Sequence, residues 1–214
     1  MKIYDISQEV FTCTVFPGDP QPKRDIMMKI SEGSICNLTA LSMCAHNGTH
    51  VDAPYHFLND GKTIDQVDLE RFIGWAFVAD HEGAVSAEDA KCILEKAIAA
   101  GAQRAGFATG SGVVEEMRDQ ASKRILIKGK SVVTLEAAKV FAEAGVLLLG
   151  NESQTVGPED APMQVHLELL GAEVVLLEGV RLEHVPEGVY MLHAAPINLG
   201  GADGAPCRAT LMEM

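Results

Sequence analysis

One short stretch of the chain concentrates residues that can bind a metal ion. Three of the seven histidines and an aspartate lie in it, namely His46, His50, Asp52 and His56. Imidazole nitrogens and carboxylate oxygens are preferred ligands of divalent transition metals. The stretch therefore predicts a metal site. The alternative, a set of solvated loop histidines, is disfavoured because apolar residues such as Val51 alternate with the polar ones and indicate burial.

The spacing of these four residues places a condition on the backbone. All stand at even offsets, so a straight strand would present them on one face. At a rise of about 3.3 Å per residue, His46 and Asp52 would lie about 20 Å apart, whereas metal–ligand bonds are about 2 Å long. The chain must therefore bend between them. We expect Gly48 to permit the bend and Pro54 to constrain the exit of the chain.

An ion held by only three of these side chains would keep open coordination positions. Catalytic metal sites keep such positions, whereas structural sites are closed. With His46, His50 and Asp52 as ligands, a bound water would have its pKa lowered towards about 7 and would act as a hydroxide nucleophile. His56 would then take the proton and later give it to the leaving group.

Two further residues have the right chemistry but stand far away in the sequence. His166 lies in a predicted helix, and Glu178 ends the apolar segment Val174–Leu177. A carboxylate that closes a buried strand needs a cation or hydrogen-bond donors. Taken alone, His166 is a packed or solvated helix residue and Glu178 a surface residue at a strand end. Only a partner shared with the first cluster would make them ligands.

The hydrophobic pattern predicts strands early in the chain and alternating strands and helices later. The expected strands are Lys2–Ile6, Cys36–Ala45, Trp75–Ala79, Arg124–Lys128, Val146–Leu149, Val174–Leu177, Gly188–Asn198 and Cys207–Met212. The expected helices are Asp65–Gly74, Ser86–Ala100, Thr134–Ala144 and Pro162–Leu170. This order is typical of a mixed α/β domain. With 214 residues in all, we expect one domain over residues 1–214.

Composition argues against several classes of partner. The net charge is −13, so nucleic-acid phosphates and an anionic membrane surface would be repelled. No apolar run approaches the ~18 residues of a membrane span, and the first residues lack the apolar segment of a signal peptide. The five cysteines show no C-x-x-C pairing, which suits reduced thiols. We expect a cytoplasmic protein that acts on a small molecule.

The motif H-x-G-T-H-x-D-A-P-x-H-F, which runs from His46 to Phe57, resembles the signature of the metal-dependent cyclase family. That family includes kynurenine formamidases and isatin hydrolases. The resemblance covers most of the chain and is weakest around residues 87–124, where the sequence leaves room for an insertion. The other matching blocks are Pro17–Asp19, Leu69–Gly74, Leu135–Ser153, His166–Leu170, Glu178–Val180 and Ala202–Arg208.

This resemblance implies roles for individual residues. The implied metal ligands are His46, His50, Asp52, His166 and Glu178. In members with two ions, the aspartate and the glutamate bridge them. The family's proton donor and acceptor corresponds to His56. The resemblance further implies one or two Zn²⁺ or Mn²⁺ ions per chain and an α/β fold of the swivelling β/β/α type, with a mixed sheet and flanking helices. It also implies assembly as a homodimer or homotetramer.

Aromatic residues near the motif are candidates for the substrate pocket, the alternative being core packing. They are Phe16, Tyr55 and Phe57. Kynurenine formamidases resemble one another in a Trp before Pro-Gly-Asp, where this chain has Phe16, so the aromatic face is kept and the indole N–H is absent. The family's G-x-D-S turn has Glu152 in place of Asp, with no predicted contact. Arg208 is expected in a surface ion pair rather than on a substrate carboxylate.

Three functions remain open. The first is a metal-dependent hydrolase of an amide, either an arylformamide such as N-formylkynurenine or a cyclic amide. The second is a mononuclear Fe(II) oxygenase, because two histidines and a carboxylate can form a facial triad. Against it, His166 and Glu178 would fill positions that O₂ and a co-substrate need. The third is a non-catalytic metal-binding or ligand-binding module, in which His56 would be dispensable.

Overall fold

A nine-stranded mixed sheet forms the centre of the molecule, as seen in a computed structural model that describes residues 1–105 and 120–213. Its order is β1-β13-β11-β5-β7-β9-β10-β4-β12. These strands are β1 (Lys2–Asp5), β4 (His50–Asp52), β5 (Ile73–Asp80), β7 (Arg124–Lys128), β9 (Leu148–Asn151), β10 (Val175–Glu178), β11 (Gly188–His193), β12 (Gly204–Pro206) and β13 (Thr210–Glu213). Strands β5, β7, β9 and β10 run parallel, and the outer pairs are antiparallel.

Two small sheets complete the strand inventory of the described residues. The hairpin of β2 (Lys23–Met28) and β3 (Leu38–Ser42) is antiparallel, and β6 (Gly83–Val85) pairs in parallel with β8 (Ser131–Val133). The sequence pattern did not predict β2. In the sequence, the hairpin lies between the Pro17–Asp19 loop and His46. Its two ends are therefore close in sequence to the family-like loop and to the histidine motif.

Three α-helices in the described residues cover one face of the sheet. They are α1 (Ala87–Ala105), α2 (Leu135–Glu143) and α3 (Met163–Gly171). The predicted caps are present: Asp89 N–H donates to the Ser86 hydroxyl, and Ala137 N–H donates to Thr134. Serine and threonine side chains at these positions satisfy backbone groups that the first helical turn leaves unpaired.

Alternation along the central strands sends side chains into two separate apolar clusters. On β7, Ile125 and Ile127 pack beneath the helices, whereas Leu126 joins the cluster on the opposite face. That second cluster is covered by loops that contribute Phe72 and Leu182. Because both faces are covered, the middle residues of the parallel strands are mostly apolar and the polar ones stand at the strand ends, as expected for buried parallel sheets. The predicted α/β class with a mixed sheet and flanking helices is confirmed.

The predicted helix Asp65–Gly74 is wrong. The segment forms two 3-10 helices, Ile64–Gln66 and Leu69–Arg71, separated by extended backbone, and then enters β5. A tertiary contact explains the stop: the buried guanidinium of Arg124 donates to the carbonyls of Glu70, Arg71 and Trp75. A helix through Gly74 would need the Glu70 carbonyl to accept the Gly74 N–H, but this carbonyl accepts from Arg124 instead.

Other predicted boundaries differ from the observed ones by a few residues, which is common at the ends of helices and strands. The strand expected at Gly188–Asn198 ends at His193, and the one expected at Cys36–Ala45 covers Leu38–Ser42. The possible insertion around residues 87–124 falls partly on α1 and partly on residues 106–119, which lie outside the described residues. None of the described helices combines the length and apolar character needed to cross a bilayer.

Candidate metal centre

Strand β4 carries the middle of the histidine motif and lies between two strands from much later in the sequence. Asp52 is opposite Leu176 of β10 on one side and Gly204 of β12 on the other. His50 is opposite Glu178 of β10. The register of two antiparallel pairings therefore brings the motif beside Glu178 and the Gly204 turn.

The bend required by the spacing lies at Gly48. Its φ of +69° is a left-handed conformation that favours glycine. A Cβ atom at this position would also lie 3.3 Å from the Cβ of Cys13. Beyond β4, Pro54 begins a 3-10 helix that ends with His56. The chain thus turns before and after the strand, and these two turns bring the side chains of His46 and His56 into contact.

Four buried side chains converge at the carboxyl end of β10. His50 Nε2 lies 3.4 Å from Asp52 Oδ1 and 3.4 Å from Glu178 Oε2. His166, on α3, places its Nε2 3.3 Å from Glu178 Oε1 and 3.7 Å from Asp52 Oδ2. All four residues are at most 3% exposed. The two downstream residues therefore share partners with the motif, which was the condition for treating them as ligands.

Hydrogen bonds to backbone carbonyls fix the ring orientation of His50 and His166. His50 Nδ1 lies 3.0 Å from the Gly48 carbonyl, and His166 Nδ1 lies 2.9 Å from the Pro162 carbonyl. A carbonyl only accepts, so Nδ1 is the protonated nitrogen in both rings. Each Nε2 therefore offers a lone pair to a cation, or must itself carry a second proton, where it faces the carboxylates.

His46 lies on the other side of Asp52. Its Nδ1 is 2.8 Å from Asp52 Oδ1, and its Nε2 is 2.8 Å from Asp203 Oδ2. The ring of His56 stacks on the ring of His46, with centroids 4.0 Å apart and an interplanar angle of 29°. His56 Nδ1 is 3.3 Å from the same Asp203 oxygen.

The charges of this cluster shift the pKa values of its members. Burial alone would lower the pKa of His46, but Asp52 and Asp203 outweigh it and raise the pKa to about 11. Burial is likewise outweighed at His50, where hydrogen bonds to Asp52 and Glu178 raise the pKa to about 9. The pKa of Asp52 is held well below its ordinary value because the neighbouring histidines oppose the effect of burial. Without a metal ion, protons on these rings balance the buried carboxylates.

His56 differs from its neighbours. Burial lowers the pKa of its imidazole, and the carboxylates nearby do not reverse the shift. It is also more accessible than the inner histidines, with 27% of its side chain exposed. A neutral imidazole at the edge of a polar cluster is suited to accept and return a proton.

The cluster fits a divalent cation on two observations. Asp52 Oδ2 is buried and has no hydrogen-bond partner among the described residues, although an unpaired buried carboxylate oxygen is costly. A tetrahedral site with bonds of about 2.1 Å separates its ligand atoms by about 3.4 Å, close to the spacings between His50, His166, Asp52 and Glu178. A cation among these atoms would satisfy the unpaired oxygen and both lone pairs.

The ligand atoms form two groups that share Asp52. One contains His50, Asp52 and Glu178, and the other contains His46, Asp52 and His56. Of the five ligands implied by the resemblance, the structure brings four into one buried cluster and places His46 against the shared aspartate.

A cavity of about 240 Å³ opens over the cluster. His46, His50, His56, His166 and Glu178 reach its surface. It is smaller than the about 300–1,000 Å³ typical of pockets for drug-sized ligands, which indicates a small substrate.

Two of the three predicted pocket aromatics line this cavity. Phe16 and Phe57 are on its wall, and the Phe57 ring lies 4.6 Å from that of His166. Tyr55 is not among the lining residues and is 39% exposed. Tyr55 and His56 are successive residues of the 3-10 helix, so their side chains point in different directions, and only His56 lines the cavity.

Several residues of the site were not singled out from the sequence. Asp19, Gln154 and Thr155 line the cavity, and Asp203 contacts two histidines. Asp19 and Asp203 lie within blocks that matched the family, but nothing in their spacing marked them as site residues. Gln154 and Thr155 follow directly after the G-x-D-S-like turn, which was the available signal.

Glu152 and Arg208, which also belong to the family-like blocks, contact other parts of the chain and not the cavity. Glu152 accepts hydrogen bonds from the backbone N–H groups of Gly129 and Leu182, so it ties two loops together. Arg208 pairs with Asp5 at the surface, as expected.

Comparison with known proteins gives consistent results. Residues 4–158 match the Cyclase family model, described as "Putative cyclase". The kynurenine formamidase of Salinibacter ruber is 34% identical over 217 residues, covering 100% of this chain and 98% of the relative.

Solved structures share the fold. A potential metal-dependent hydrolase with cyclase activity superimposes with a TM-score of 0.73 and 25% identity, covering 100% of this chain and 99% of the other. Isatin hydrolase A from Labrenzia aggregata, bound to benzyl benzoate, gives a TM-score of 0.74 at 19% identity, covering 99% and 93%. The latter likeness concerns the fold alone.

Proposed function

This chain belongs to the cyclase family, and from that membership together with its buried cluster we propose that it is a metal-dependent hydrolase of a non-peptide amide C–N bond. One observation carries the proposal most directly. The unpaired oxygen of Asp52, Oδ2, lies 3.7 Å from His166 Nε2, and the other oxygen of the same carboxylate lies 3.4 Å from His50 Nε2, beneath a cavity that His56 also lines.

The residues of the chain divide the work of such a reaction. His50, His166, Asp52 and Glu178 would hold the ion, with His46 beside them. When bound, a divalent ion acts as a Lewis acid towards a carbonyl and towards water. His56 takes up a proton at Nε2, the ring nitrogen that does not face Asp203, and returns it to the departing amine.

We propose an arylformamide such as N-formylkynurenine as the substrate class. The sequence relatives are kynurenine formamidases, and Phe16 and Phe57 supply aromatic walls on a small cavity. Aromatic side chains favour aryl groups through stacking and edge contacts. A cyclic amide fits the same walls and is the second class to test.

The metal is proposed to be Zn²⁺ or Mn²⁺, with one or two ions per chain. Nitrogen and carboxylate oxygen ligands suit both metals. The close spacings around His50 and His166 support one ion. A second ion would be held by His46 and Asp52, because His56 is assigned to proton transfer.

The oxygenase alternative loses support from the same geometry. A facial triad binds its iron through three protein side chains and leaves the remaining positions for O₂ and a co-substrate. Here His166 and Glu178 lie within the cluster and add to the ligand count. A non-catalytic module would bind the metal without hydrolysing any amide, and His56 would be dispensable in it.

Purified protein loaded with Zn²⁺ or Mn²⁺ is expected to release kynurenine from N-formylkynurenine, with the rate abolished by a chelator and restored by the metal. Isatin and simple cyclic amides should be assayed in parallel. Equal rates with and without dissolved oxygen are expected. Oxygen-dependent turnover, or tight metal binding without hydrolysis of any amide in the panel, would overturn the assignment.

We further propose that the chain assembles as a homodimer or homotetramer through the β2–β3 hairpin. Six large apolar residues of this segment are exposed, from 50% to 93%: Ile26, Met27, Ile30, Ile35, Leu38 and Leu41. Together they expose on the order of 700 Å², more than the largest apolar patch of a typical monomer (about 300–600 Å²) and close to one side of a standard interface (about 800 Å²).

A second copy of the chain is the proposed occupant. The hairpin carries three basic residues, Lys23, Arg24 and Lys29, against two acidic ones, whereas the chain as a whole has a net charge of −13. Its surface is therefore complementary to the acidic remainder of another copy. An isolated two-stranded hairpin is also marginally stable at best in water.

Substituting Ile35→Asp together with Leu41→Asp is expected to convert the assembly into monomers, as measured by light scattering during gel filtration. Ile98→Asp, at an apolar position of α1 that is 42% exposed, is the matched control and should leave the mass unchanged. A wild-type monomer at tens of micromolar, or an unchanged mass in the double variant, would contradict the proposal.

We also propose that the protein is cytoplasmic and that it binds neither nucleic acids nor membranes. All five cysteines are unpaired, which agrees with a reducing compartment. The acidic net charge opposes binding to phosphate backbones.

A further inference from the structure

Asp203 contacts both a histidine beside the metal cluster and the histidine assigned to proton transfer. A single oxygen, Oδ2, lies 2.8 Å from His46 Nε2 and 3.3 Å from His56 Nδ1. A carboxylate oxygen has two lone pairs and accepts from both rings at once. The two rings are stacked, so this oxygen reaches both from their shared edge.

The backbone around Asp203 is held firmly against the motif. Its carbonyl accepts a hydrogen bond from Ala53 N–H at 2.9 Å, between Asp52 and Pro54. The next residue, Gly204, is opposite Asp52 in the register of β12 and β4. The carboxylate is thus attached to the strand that neighbours the ligands, although it is 43% exposed.

Gly204 permits this approach. A Cβ atom there would lie 2.8 Å from His46 Cε1 and 2.7 Å from the carbonyl of Val51. Such distances do not occur without displacement of the backbone or the ring. Only glycine, which has no Cβ, fits at position 204, and it lets the neighbouring Asp203 carboxylate lie against the His46 ring.

Hydrogen bonding to Asp203 determines which nitrogen of each ring is available. With His56 Nδ1–H donating to the carboxylate, His56 Nε2 carries the lone pair, and it has no hydrogen bond among the described residues. With His46 Nε2–H donating to the same oxygen, His46 Nδ1 is left to face Asp52 and the metal cluster. Carboxylate partners of this kind fix the tautomer and orientation of metal-bound and proton-transferring histidines.

We propose that Asp203 is a positioning residue that aligns His46 as a ligand and His56 as the proton carrier through one shared oxygen. It acts through the two imidazoles and does not touch the substrate. The inference rests on the proposed function for the role of His56, but the arrangement of the two rings can be tested without any substrate.

Nitrogen-15 NMR of the histidine side chains tests the arrangement directly, in the protein as purified and after loading with Zn²⁺. His56 is expected to show a protonated Nδ1 in the wild type, assigned with His56→Gln. In Asp203→Ala that signal should give way to a mixture of tautomers. A pure Nε2–H tautomer in the wild type, or an unchanged Nδ1–H signal in Asp203→Ala, would overturn the proposal even if the protein hydrolyses amides.

Metal affinity and turnover supply two further readouts. Asp203→Asn is expected to weaken Zn²⁺ binding about 10–100-fold in competition with a chelator, as for other outer partners of metal-bound histidines. It should lower kcat at least about 10-fold with little change in KM, and Asp203→Glu should restore part of the loss. Equal Zn²⁺ affinity and a kcat within twofold in Asp203→Asn would contradict the role.

Asp65→Asn is the matched control, because its carboxylate accepts the N–H of Gly201 in the same loop. If Asp203 merely held that loop in place, Asp65→Asn would reproduce the losses, and this result would also count against the proposal. Failure of the wild type to hydrolyse any amide would defeat the proposed function, while the NMR signals and the Zn²⁺ affinity would still decide the role of Asp203.

Discussion

Replacing Asp52 by asparagine is expected to remove the bound metal and, with it, measurable hydrolysis. The carboxylate is 1% exposed and lies within 2.8–3.7 Å of His46, His50 and His166. Asparagine keeps the shape but removes the charge that balances the ion. Since losing an outer partner of a ligand already costs about 10–100-fold in affinity, the loss of the shared ligand should exceed about 100-fold. Elemental analysis of the purified variant, together with the amidase assay, measures it.

Asp80→Asn is a suitable control for this variant. Asp80 is a surface carboxylate whose side chain is 57% exposed and pairs with Lys128, and exposed pairs of this kind contribute about 0–1 kcal/mol. Its metal content and rate should equal those of the wild type. Full metal content in Asp52→Asn would show that the unpaired oxygen serves another purpose.

Replacing His56 by alanine is expected to lower kcat about 10²–10⁴-fold, the usual contribution of a general acid or base. The metal content should be unchanged, because the four closely spaced ligands do not include His56. Steady-state kinetics and elemental analysis of the same preparation provide the two numbers. Added imidazole should restore part of the rate by replacing the missing proton carrier.

The metal count distinguishes two roles for this residue. His56 also belongs to the second ligand group, with His46 and Asp52. Loss of one equivalent of metal in His56→Ala would identify it as a ligand and reject the proton-transfer role, whereas retained metal with lost turnover supports that role. The exposed His184 provides the control, and His184→Ala should match the wild type in both measurements.

The sequence was most informative where the relevant residues are close together in the chain. The spacing of His46, His50 and Asp52 predicted a bend, and the structure has it at Gly48. The apolar runs predicted β7 within its observed bounds, Arg124–Lys128. In each case the deciding interaction is local, so hydrophobic period and turn chemistry suffice.

Contacts between distant residues were harder to predict. His166 and Glu178 were linked to the motif only through a family resemblance, because spacing cannot show that β4 pairs with β10. Asp203, which is 157 residues from His46, carried no local signal at all. The helix expected at Asp65–Gly74 failed for a similar reason, since the guanidinium that takes its carbonyls comes from Arg124 on another strand.

The placement of β4 between β10 and β12 also bears on how the protein folds. The strand-pairing partners of Asp52, Leu176 and Gly204, are synthesised more than 120 residues after it. Closing such long loops costs entropy before any contact repays it, and high contact order slows folding. The early histidines of a growing chain therefore emerge from the ribosome without their final neighbours. Because the metal-binding residues of β4, β10 and α3 come together only when these elements pack, we expect native metal binding to follow this strand pairing and to stabilise the folded chain rather than to start its folding.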